Sequence, residues 1–256
     1  MKKNDAVVWF SCGGASAVAG KLALKKYGEK VDIAYCDTGG EHESNYKFLK
    51  DCEKWYKRKI IILKNKEYKD HFDVFKNKKF ITNRYGFAYC THELKMKLRD
   101  KAGYCESINI FGYTLEETKR AKKLKEKNID MIVEFPLIDN QLSKDDVLGI
   151  IWKTGIDLPE MYELGYGHNN CIGCVKGGMG YWNKIRKDFP KHFKKMSEIE
   201  REIGVTVLKH RSGDKNGKRM YLDELDIKAG RFDKEEPISC GIDCQLTIND
   251  LNEFDS

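Results

Sequence analysis

Proline is scarce in this chain, and long apolar runs are absent from it. Its 256 residues include four Pro, and the longest apolar stretches, such as residues 6–10 and 60–63, are far shorter than the ~20 residues that a membrane helix needs. The basic start at residues 1–5 is followed by no apolar segment long enough for a secretory signal. We therefore expect an intracellular, cytoplasmic protein with no membrane partner.

The excess of one charge sign is also small. Lys and Arg total 47 against 40 Asp and Glu, which gives a net charge of +7. Such a charge suits an anionic small substrate or a nucleic acid but requires neither. With 41% apolar and 11% aromatic residues, the chain has enough apolar surface to bury a sizeable core.

Up to residue 157, short apolar runs alternate with amphipathic stretches. The pattern predicts strands at residues 6–11, 31–36, 59–63, 107–112 and 131–135, and helices at 16–27, 41–56, 114–127 and 143–154, the last with Ser143 as its N-cap. Such alternation predicts an α/β fold with a parallel sheet and right-handed crossovers. Ligands in these folds bind at the carboxyl ends of strands, here at residues 11–16, 37–41 and 112–114.

The sequence pattern changes after residue 158. A Gly-rich loop precedes a helical stretch with a one-sided apolar face from Trp182 to Ile203, in which Pro190 is expected to start a new segment capped by Asp188. Residues 205–209 and 219–222 predict a hairpin. We therefore predict two domains, an α/β domain at 1–157 and a cysteine-bearing C-terminal lobe at 158–256 packed on it.

The nine Cys are unlike a disulfide framework, because such frameworks belong to small secreted domains. Cys171 and Cys174 form one close pair and Cys240 and Cys244 form another, so the four thiols are candidate ligands of one tetrahedral metal or iron–sulfur cluster. The alternative is two unrelated pairs of idle thiols. Four further cysteines are read as small core residues: Cys12, Cys36, Cys52 and Cys105.

Three segments could bind parts of a ligand. Small residues at 11–16, where a strand ends and a helix begins, would let a phosphate approach backbone N–H groups, although an ordinary tight turn has the same pattern. The acidic segment at 37–41 could accept ribose hydroxyls or be a capped turn. Lys95 and Lys97 follow Cys90, whose pKa nearby cations would lower; the alternative is an exposed basic helix with an inert thiol.

Six segments together resemble one family. They are FSCGGASAV at 10–18, YCDTGGEH at 35–42, CTHELK at 90–95, FGYTLEETKR at 111–120, NNCIGCVKGGMGYWNKIRKDFP at 169–190 and LDELD at 222–226. In order and spacing the chain resembles the phosphoadenosine phosphosulfate (PAPS) reductase family of the adenine nucleotide α-hydrolase superfamily. More narrowly, it is similar to the PAPS-reductase-like proteins of phages and bacteria.

The resemblance implies a Rossmann-like parallel sheet that binds an adenine nucleotide: PAPS, adenosine phosphosulfate (APS) or ATP. The residues that match the family's binding segments are Ser11, Gly13, Gly14, Ser16, Asp37, Thr38, Gly39, Glu41, Lys95, Lys97, Gly112 and Arg120. Ala15 stands where the superfamily's loop usually has Asp, which argues against ATP cleavage, and Thr114 stands where an Arg is typical.

The resemblance also implies cysteine chemistry. Reductases of this family use a Cys near the C-terminus, which Cys240 matches, and APS-reducing members bind a 4Fe–4S cluster through a Cys–Cys pair and a later Cys-x-x-Cys. Cys90 lies at the position of that pair and is the second candidate nucleophile. We favour Cys171, Cys174, Cys240 and Cys244 as ligands of an iron–sulfur cluster or zinc.

The expected function is sulfonucleotide reduction or sulfur-group transfer. Two alternatives remain: an ATP-dependent enzyme of nucleic-acid sulfur modification, and a non-catalytic nucleotide-binding module with structural zinc. Candidate partners are the anionic adenine nucleotide, a thiol reductant protein, a nucleic acid and a second copy of the chain.

Overall fold

The chain folds into two compact units that alternate along the sequence. The computed structural model describes residues 4–81, 88–211, 216–235 and 238. The first unit takes its residues from 1–37, 42–65 and 95–169, and the second from 38–41, 66–94 and 170–256. We predicted a single boundary after residue 157, whereas the two units are interleaved along the chain. The assignment of nucleotide binding to one domain and of metal binding to the other stays a prediction.

The first unit contains a five-stranded sheet in the order β3-β2-β1-β4-β5, with every neighbouring pair parallel. Its strands are β1 (Ala6–Phe10), β2 (Val31–Asp37), β3 (Ile61–Lys64), β4 (Ile108–Ile110) and β5 (Val133–Glu134). The prediction of an α/β fold with a parallel sheet is confirmed. From β1 the sheet grows first in one direction, through β2 and β3, and then in the other, through β4 and β5. The switch point therefore lies between β1 and β4, and α/β folds bind ligands at such a point.

Helices cover this sheet. They are α1 (Gly14–Tyr27), α2 (Ser44–Tyr56), α5 (Lys97–Lys101), α6 (Thr118–Lys127), α7 (Pro136–Asp139), α8 (Lys144–Thr154) and α9 (Glu160–Glu163). The buried face of α1 consists of small residues, which lets the helix lie close to its neighbours, and the Tyr56 hydroxyl donates to the Ala17 carbonyl at 2.7 Å. Ser143 caps α8 as predicted. Among the helices of the described ranges, none has the length and apolar content needed to traverse a bilayer.

The second unit contains α3 (His71–Lys78), α4 (Tyr89–Thr91), α10 (Met179–Asp188), α11 (Pro190–Ile203) and the antiparallel strands β6 (Leu208–Lys209) and β7 (Arg219–Met220). A π-helical turn, His92–Met96, follows α4. The hairpin and the helix start at Pro190 are as predicted. The capping prediction is wrong: the N-cap of α11 is Phe189, because Asp188 ends α10 and accepts from Lys184 at 2.7 Å.

A buried carboxylate links α11 to the hairpin region. The Glu200 side chain is fully buried and accepts from the N–H groups of Val207 at 2.6 Å and Leu222 at 2.7 Å. Burial raises its pKa from 4.5 to about 7, since loss of water disfavours the charged form.

Candidate functional site

The loop between β1 and α1 has the geometry of an anion-binding turn. Cys12 is buried and adopts the left-handed region at φ 54°, which turns the backbone sharply before Gly13, the N-cap of α1. The Ser16 hydroxyl accepts from the Ser11 N–H at 3.0 Å and donates to the Gly13 carbonyl at 2.9 Å. No acidic residue lies in the first turn of α1, so the helix dipole is left to attract an anion.

Asn169 supports this loop from a distant part of the sequence. Its amide donates to the Cys12 carbonyl at 2.8 Å and to Asn45 Oδ1 at 2.7 Å, and all three groups are buried. The contact to Cys12 stabilises a left-handed backbone conformation, which is unfavourable for residues other than glycine. Asn169 therefore helps to fix the shape of the loop.

Gly112 brings the end of β4 against the same loop. A Cβ at this position would lie 2.6 Å from the Ser16 nitrogen and 2.7 Å from the Ala15 carbonyl oxygen. Both neighbours are backbone atoms, so only glycine permits this approach. Two of the predicted binding segments, 11–16 and 112–114, thus meet at the switch point of the sheet.

Tyr162 reaches the start of α1 as well. The Gly14 N–H lowers the pKa of the Tyr162 hydroxyl, although burial raises that pKa overall. The same hydroxyl lies 3.1 Å from where a Cβ of Gly13 would be. A phosphate that binds this helix start would therefore contact the Tyr162 hydroxyl or displace it.

Asp37 ends β2 at the same edge of the sheet. Its buried carboxylate accepts from Lys64 at 3.0 Å and from the Tyr46 hydroxyl at 2.9 Å. These contacts fix the carboxylate, and its role in binding ribose stays a prediction.

The predicted cations of the first unit have different surroundings. Lys95 and Lys97 are half-buried within and just after the π-helical turn, an element often found at functional sites. Arg120 lies 4.1 Å from the Tyr113 ring centroid and donates to Glu117 at 2.6 Å. Their contact with a phosphate or sulfate also stays a prediction.

In the second unit, the acidic segment at 38–41 meets the Cys-Ile-Gly-Cys loop. Thr38 Oγ1 lies 3.2 Å from Cys171 Sγ, and the Ile172 N–H donates to the Gly40 carbonyl at 2.8 Å. Gly39 adopts φ 66°, and a Cβ there would overlap with the Lys69 carbonyl oxygen. The structure thus brings a predicted nucleotide-binding segment and a predicted metal ligand together.

Tyr181 shapes the Cys-Ile-Gly-Cys loop. Its hydroxyl accepts from the N–H groups of Gly173 at 3.1 Å and Cys174 at 2.9 Å, and Gly173 turns at φ 77°. Both Cys171 and Cys174 are buried. Thiolates are the ligands that zinc and iron–sulfur clusters prefer, so the donor set suits either group.

His71, the first residue of α3, is the most unusual side chain near this loop. It is 1% exposed, and neither ring nitrogen has a hydrogen-bond partner among the residues that the structure describes. The Ile172 backbone favours the protonated ring without reaching hydrogen-bond geometry. Burial dominates and lowers the pKa to about 4, so the ring is neutral at neutral pH. Each unsatisfied buried group costs about 1–3 kcal/mol.

The other cysteines divide between core and surface. Cys12, Cys36 and Cys52 are buried as predicted, but Cys105 is exposed, because it lies in the short link between α5 and β4. Cys90 is half-buried on α4. Cys240 and Cys244 lie outside the described residues. Within those residues, no three His, Cys, Asp or Glu side chains form a metal-binding group.

A groove of about 630 Å³ lies in the second unit next to the Cys-Ile-Gly-Cys loop. Four cationic residues line it: Lys176, Lys209, Arg211 and Lys234. The carboxylate that also lines it, Glu235, accepts from the N–H groups of Gly178 at 2.9 Å and Gly180 at 2.6 Å. The groove therefore carries an excess of positive charge.

Asn169, Tyr162 and His71 are site residues that the sequence did not reveal. Asn169 stands within a segment that carries the family resemblance, so its place in that segment was the available signal. Tyr162 and His71 belong to no such segment, and their contacts join residues far apart in sequence.

Comparison with known proteins identifies the family. The model of the phosphoadenosine phosphosulfate reductase domain matches residues 5–177. Two curated proteins of Methanocaldococcus jannaschii are similar: the uncharacterized protein MJ0066, 27% identical over 83% of this chain and 44% of its own length, and the uncharacterized protein MJ0973, 19% identical over 79% and 49%. The chain thus spans less than half the length of these relatives.

Two solved structures show weaker likeness. A phosphate complex of PAPS reductase from Candida auris is 17% identical, with a TM-score of 0.46 over 64% of this chain and 81% of that chain. The U34-tRNA thiolase NcsA from Methanococcus maripaludis, with its 4Fe–4S cluster, is 18% identical, with a TM-score of 0.39 over 79% of this chain and 74% of that chain. Neither likeness is close enough to bear on function. The family model, which covers more than half of the sequence, does decide membership, and the chain belongs to the phosphoadenosine phosphosulfate reductase domain family.

Proposed function

We propose that this chain is an enzyme that binds a sulfonucleotide, PAPS or APS, at the carboxyl ends of β1 and β4 and reduces or transfers its sulfur group. The observation that carries the proposal is the close approach of Gly112 to the Ala15–Ser16 backbone at the start of α1. This approach forms a compact, backbone-lined anion site at the switch point of the sheet. The family's name supports the sulfonucleotide as ligand.

The proposed reaction is a displacement at sulfur. A Cys thiolate attacks the sulfonate sulfur, and the bond from sulfur to the bridging phosphate oxygen breaks. Cys240 is the first candidate for this nucleophile and Cys90 is the second. The nucleotide leaves with the electron pair, and the enzyme carries an S-sulfocysteine. A thiol then attacks the enzyme's sulfur and releases sulfite, and a second thiol restores the cysteine, so two thiols become one disulfide.

The residues of the first unit would bind and orient the nucleotide. N–H groups at 13–16, together with Lys95, Lys97 and Arg120, would stabilise the charge that develops on the departing phosphate. An iron–sulfur cluster or zinc on Cys171 and Cys174, with Cys240 and Cys244 as further candidates, would hold its ligands as thiolates. The absence of an Asp at position 15 agrees with chemistry that does not cleave ATP.

We expect the full chain to release sulfite and the matching nucleotide in equal amounts when PAPS or APS is supplied with a dithiol. Without the dithiol, intact-mass measurement should show one added sulfonate, which disappears in Cys240→Ser if Cys240 is the nucleophile. Cys105→Ser is the matched control, since that thiol is exposed. Tight nucleotide binding without sulfite release would contradict the enzyme and support the non-catalytic module.

The basic groove favours a second candidate function, in which a nucleic acid accepts the sulfur. The basic stretch at 184–195 is a weaker candidate surface, because Lys184 pairs with Asp188 and Lys195 with Asp70. The groove, in contrast, combines four cations with apolar lining from Val175, Val207 and Leu208. The phosphate backbone of a single strand fits the four cations of this groove.

We expect Lys209→Glu combined with Arg211→Glu to weaken binding of a fluorescent single-stranded RNA and to reduce its salt dependence. At about 0.7 per phosphate for a single strand, two lost contacts lower the slope of log affinity against log salt by about 1.4. The control is Lys119→Glu with Lys123→Glu, which changes the net charge equally at exposed positions of α6. Equal losses in both double variants would refute a specific role for the groove.

A further inference from the structure

His71 is a buried donor that the reaction outlined above does not use. The ring stands at the first position of α3, where Asp70 caps the helix by accepting from the Asp73 N–H at 2.9 Å. Phe72 and Phe75 enclose it, with ring centroids 4.0 and 5.9 Å away. Packing on these sides fixes the ring and keeps water from its nitrogens.

The His71 ring lies beside Gly40 and near the backbone of the Cys-Ile-Gly-Cys loop. A Cβ at Gly40 would overlap with His71 Nδ1 and would also lie 3.4 Å from Cys171 Sγ. An imidazole nitrogen and a thiol sulfur therefore face the same small space beside the Gly40 backbone. The His71 ring occupies the position that a Cβ of residue 40 would need, so only glycine there permits this arrangement.

Among the residues that the structure describes, no hydrogen bond joins a charged side chain to the ring, although the charge of Asp70 favours a proton there. Lys195 Nζ donates to Asp70 Oδ2 at 2.9 Å, so this carboxylate already has a cationic partner. His192, on α11, is a second imidazole close enough to disfavour a proton on His71. An imidazole nitrogen is a common metal ligand, and His71 Nδ1 has no hydrogen-bond partner among the described residues.

We propose that His71 Nδ1, Cys171 and Cys174 bind one divalent metal ion of the zinc class, a Cys2His donor set that leaves the fourth tetrahedral position open. The inference rests on the metal centre of the proposed function and changes its ligand set. Among the described residues, no three such side chains have metal-binding geometry, so the proposal requires the three donors to move together when the ion binds. An open fourth position is typical of catalytic rather than structural zinc.

The first test measures the ligand shell directly. Full-length protein, purified reduced and metal-free, is loaded with Zn²⁺, and X-ray absorption counts sulfur and nitrogen ligands. The expected shell has two sulfurs, one imidazole nitrogen and one light atom. A four-sulfur shell or an iron–sulfur cluster held only by thiolates would overturn the role of His71. This test needs no variant, so misfolding cannot confuse it.

The second test uses Co²⁺ as a visible probe. We expect one Co²⁺ per chain with tetrahedral d–d bands, and His71→Ala should weaken binding by more than about 100-fold, since loss even of a group that supports a ligand costs about 10–100-fold. The matched control is His192→Ala, which removes a neighbouring imidazole and should leave affinity within about threefold. Thermal unfolding of the metal-free variants shows whether both remain folded.

The outcomes separate the two proposals. If the wild-type chain binds neither Zn²⁺ nor Co²⁺ and carries no cluster, the metal centre itself fails. If it binds metal and His71→Ala binds equally well, only the role of His71 fails, and Cys240 and Cys244 return as candidate ligands. Binding of PAPS or APS by the wild-type chain is a separate readout, which distinguishes failure of the nucleotide site from failure of the metal centre.

Discussion

Gly112→Ala should raise the dissociation constant for PAPS, APS or their nucleotide products at least about tenfold. The added Cβ would lie 2.6–2.7 Å from backbone atoms of Ala15 and Ser16, closer than carbon, nitrogen and oxygen can pack. Because neither neighbour is a flexible side chain, the loop or the end of β4 must move. Isothermal titration with each nucleotide measures the effect.

The same substitution should lower the free energy of unfolding by about 1–3 kcal/mol, the usual range for added volume in a packed region. Denaturant unfolding measures this loss and shows that the variant is folded when its affinity is determined. Gly149→Ala is the matched control: nothing lies within 4 Å of its Cβ position, and in the interior of α8 the alanine should stabilise the chain by about 0.5–1 kcal/mol. Unchanged nucleotide affinity in Gly112→Ala would show that the ligand binds elsewhere.

Raising the pH from 4.5 to 7 should cost the chain stability through Glu200. Burial raises the pKa of this carboxyl from 4.5 to about 7, so the folded state retains a proton that the unfolded state has lost. The stabilisation is complete below pH 4.5 and is lost as the pH rises through about 7. At about 1.4 kcal/mol per pKa unit, the loss is roughly 3 kcal/mol.

Glu200→Gln should remove this slope. The amide offers one oxygen to two backbone N–H groups. We therefore also expect the free energy of unfolding to fall by about 1 kcal/mol at every pH. His71 and His168 make the chain more stable as the pH rises, which is opposite to the effect of Glu200, because burial lowers the pKa of both rings to about 4. The difference between wild type and variant in urea unfolding, at a series of pH values, therefore isolates Glu200.

A neighbouring carboxylate provides the control. Glu202 is on the same helix, is about half exposed and pairs with Lys76 at 2.9 Å. Glu202→Gln should change stability by less than about 1 kcal/mol, as is usual for exposed ion pairs, and should leave the slope as it is in the wild type. If Glu200→Gln retains the wild-type slope, another group causes it.

The positions of the strands along the chain were predictable because each is a local pattern. Runs such as residues 31–36 are rich in apolar residues. The start of α8 is marked by a capping box between the side chains of Ser143 and Asp146. Strand ends were less predictable: β5 has two paired residues where five were expected, because pairing depends on the neighbouring strand. Cys105 was placed wrongly since a short apolar side chain carries no signal of its own exposure.

The site was predictable only in part. Gly112 and the loop at 11–16 could be named from the sequence, and their meeting follows from strands that share a sheet edge. The hydrogen bond between Asn169 and Cys12 joins residues 157 positions apart. The proximity of His71 to Cys171, likewise, arises from two distant segments that fold against Gly40. No local periodicity encodes such contacts.

The interleaved division of the chain has a consequence for its synthesis. Residues up to 169 are needed to complete the first unit, and the second draws on segments at 38–41, 66–94 and beyond 170. A nascent chain therefore displays the apolar faces of β1 and β2 on the ribosome long before β4 arrives to pair with β1. Contacts between such distant segments slow folding and prolong exposure, so production of this protein should depend on chaperones and on translation speed more than its stability alone would suggest.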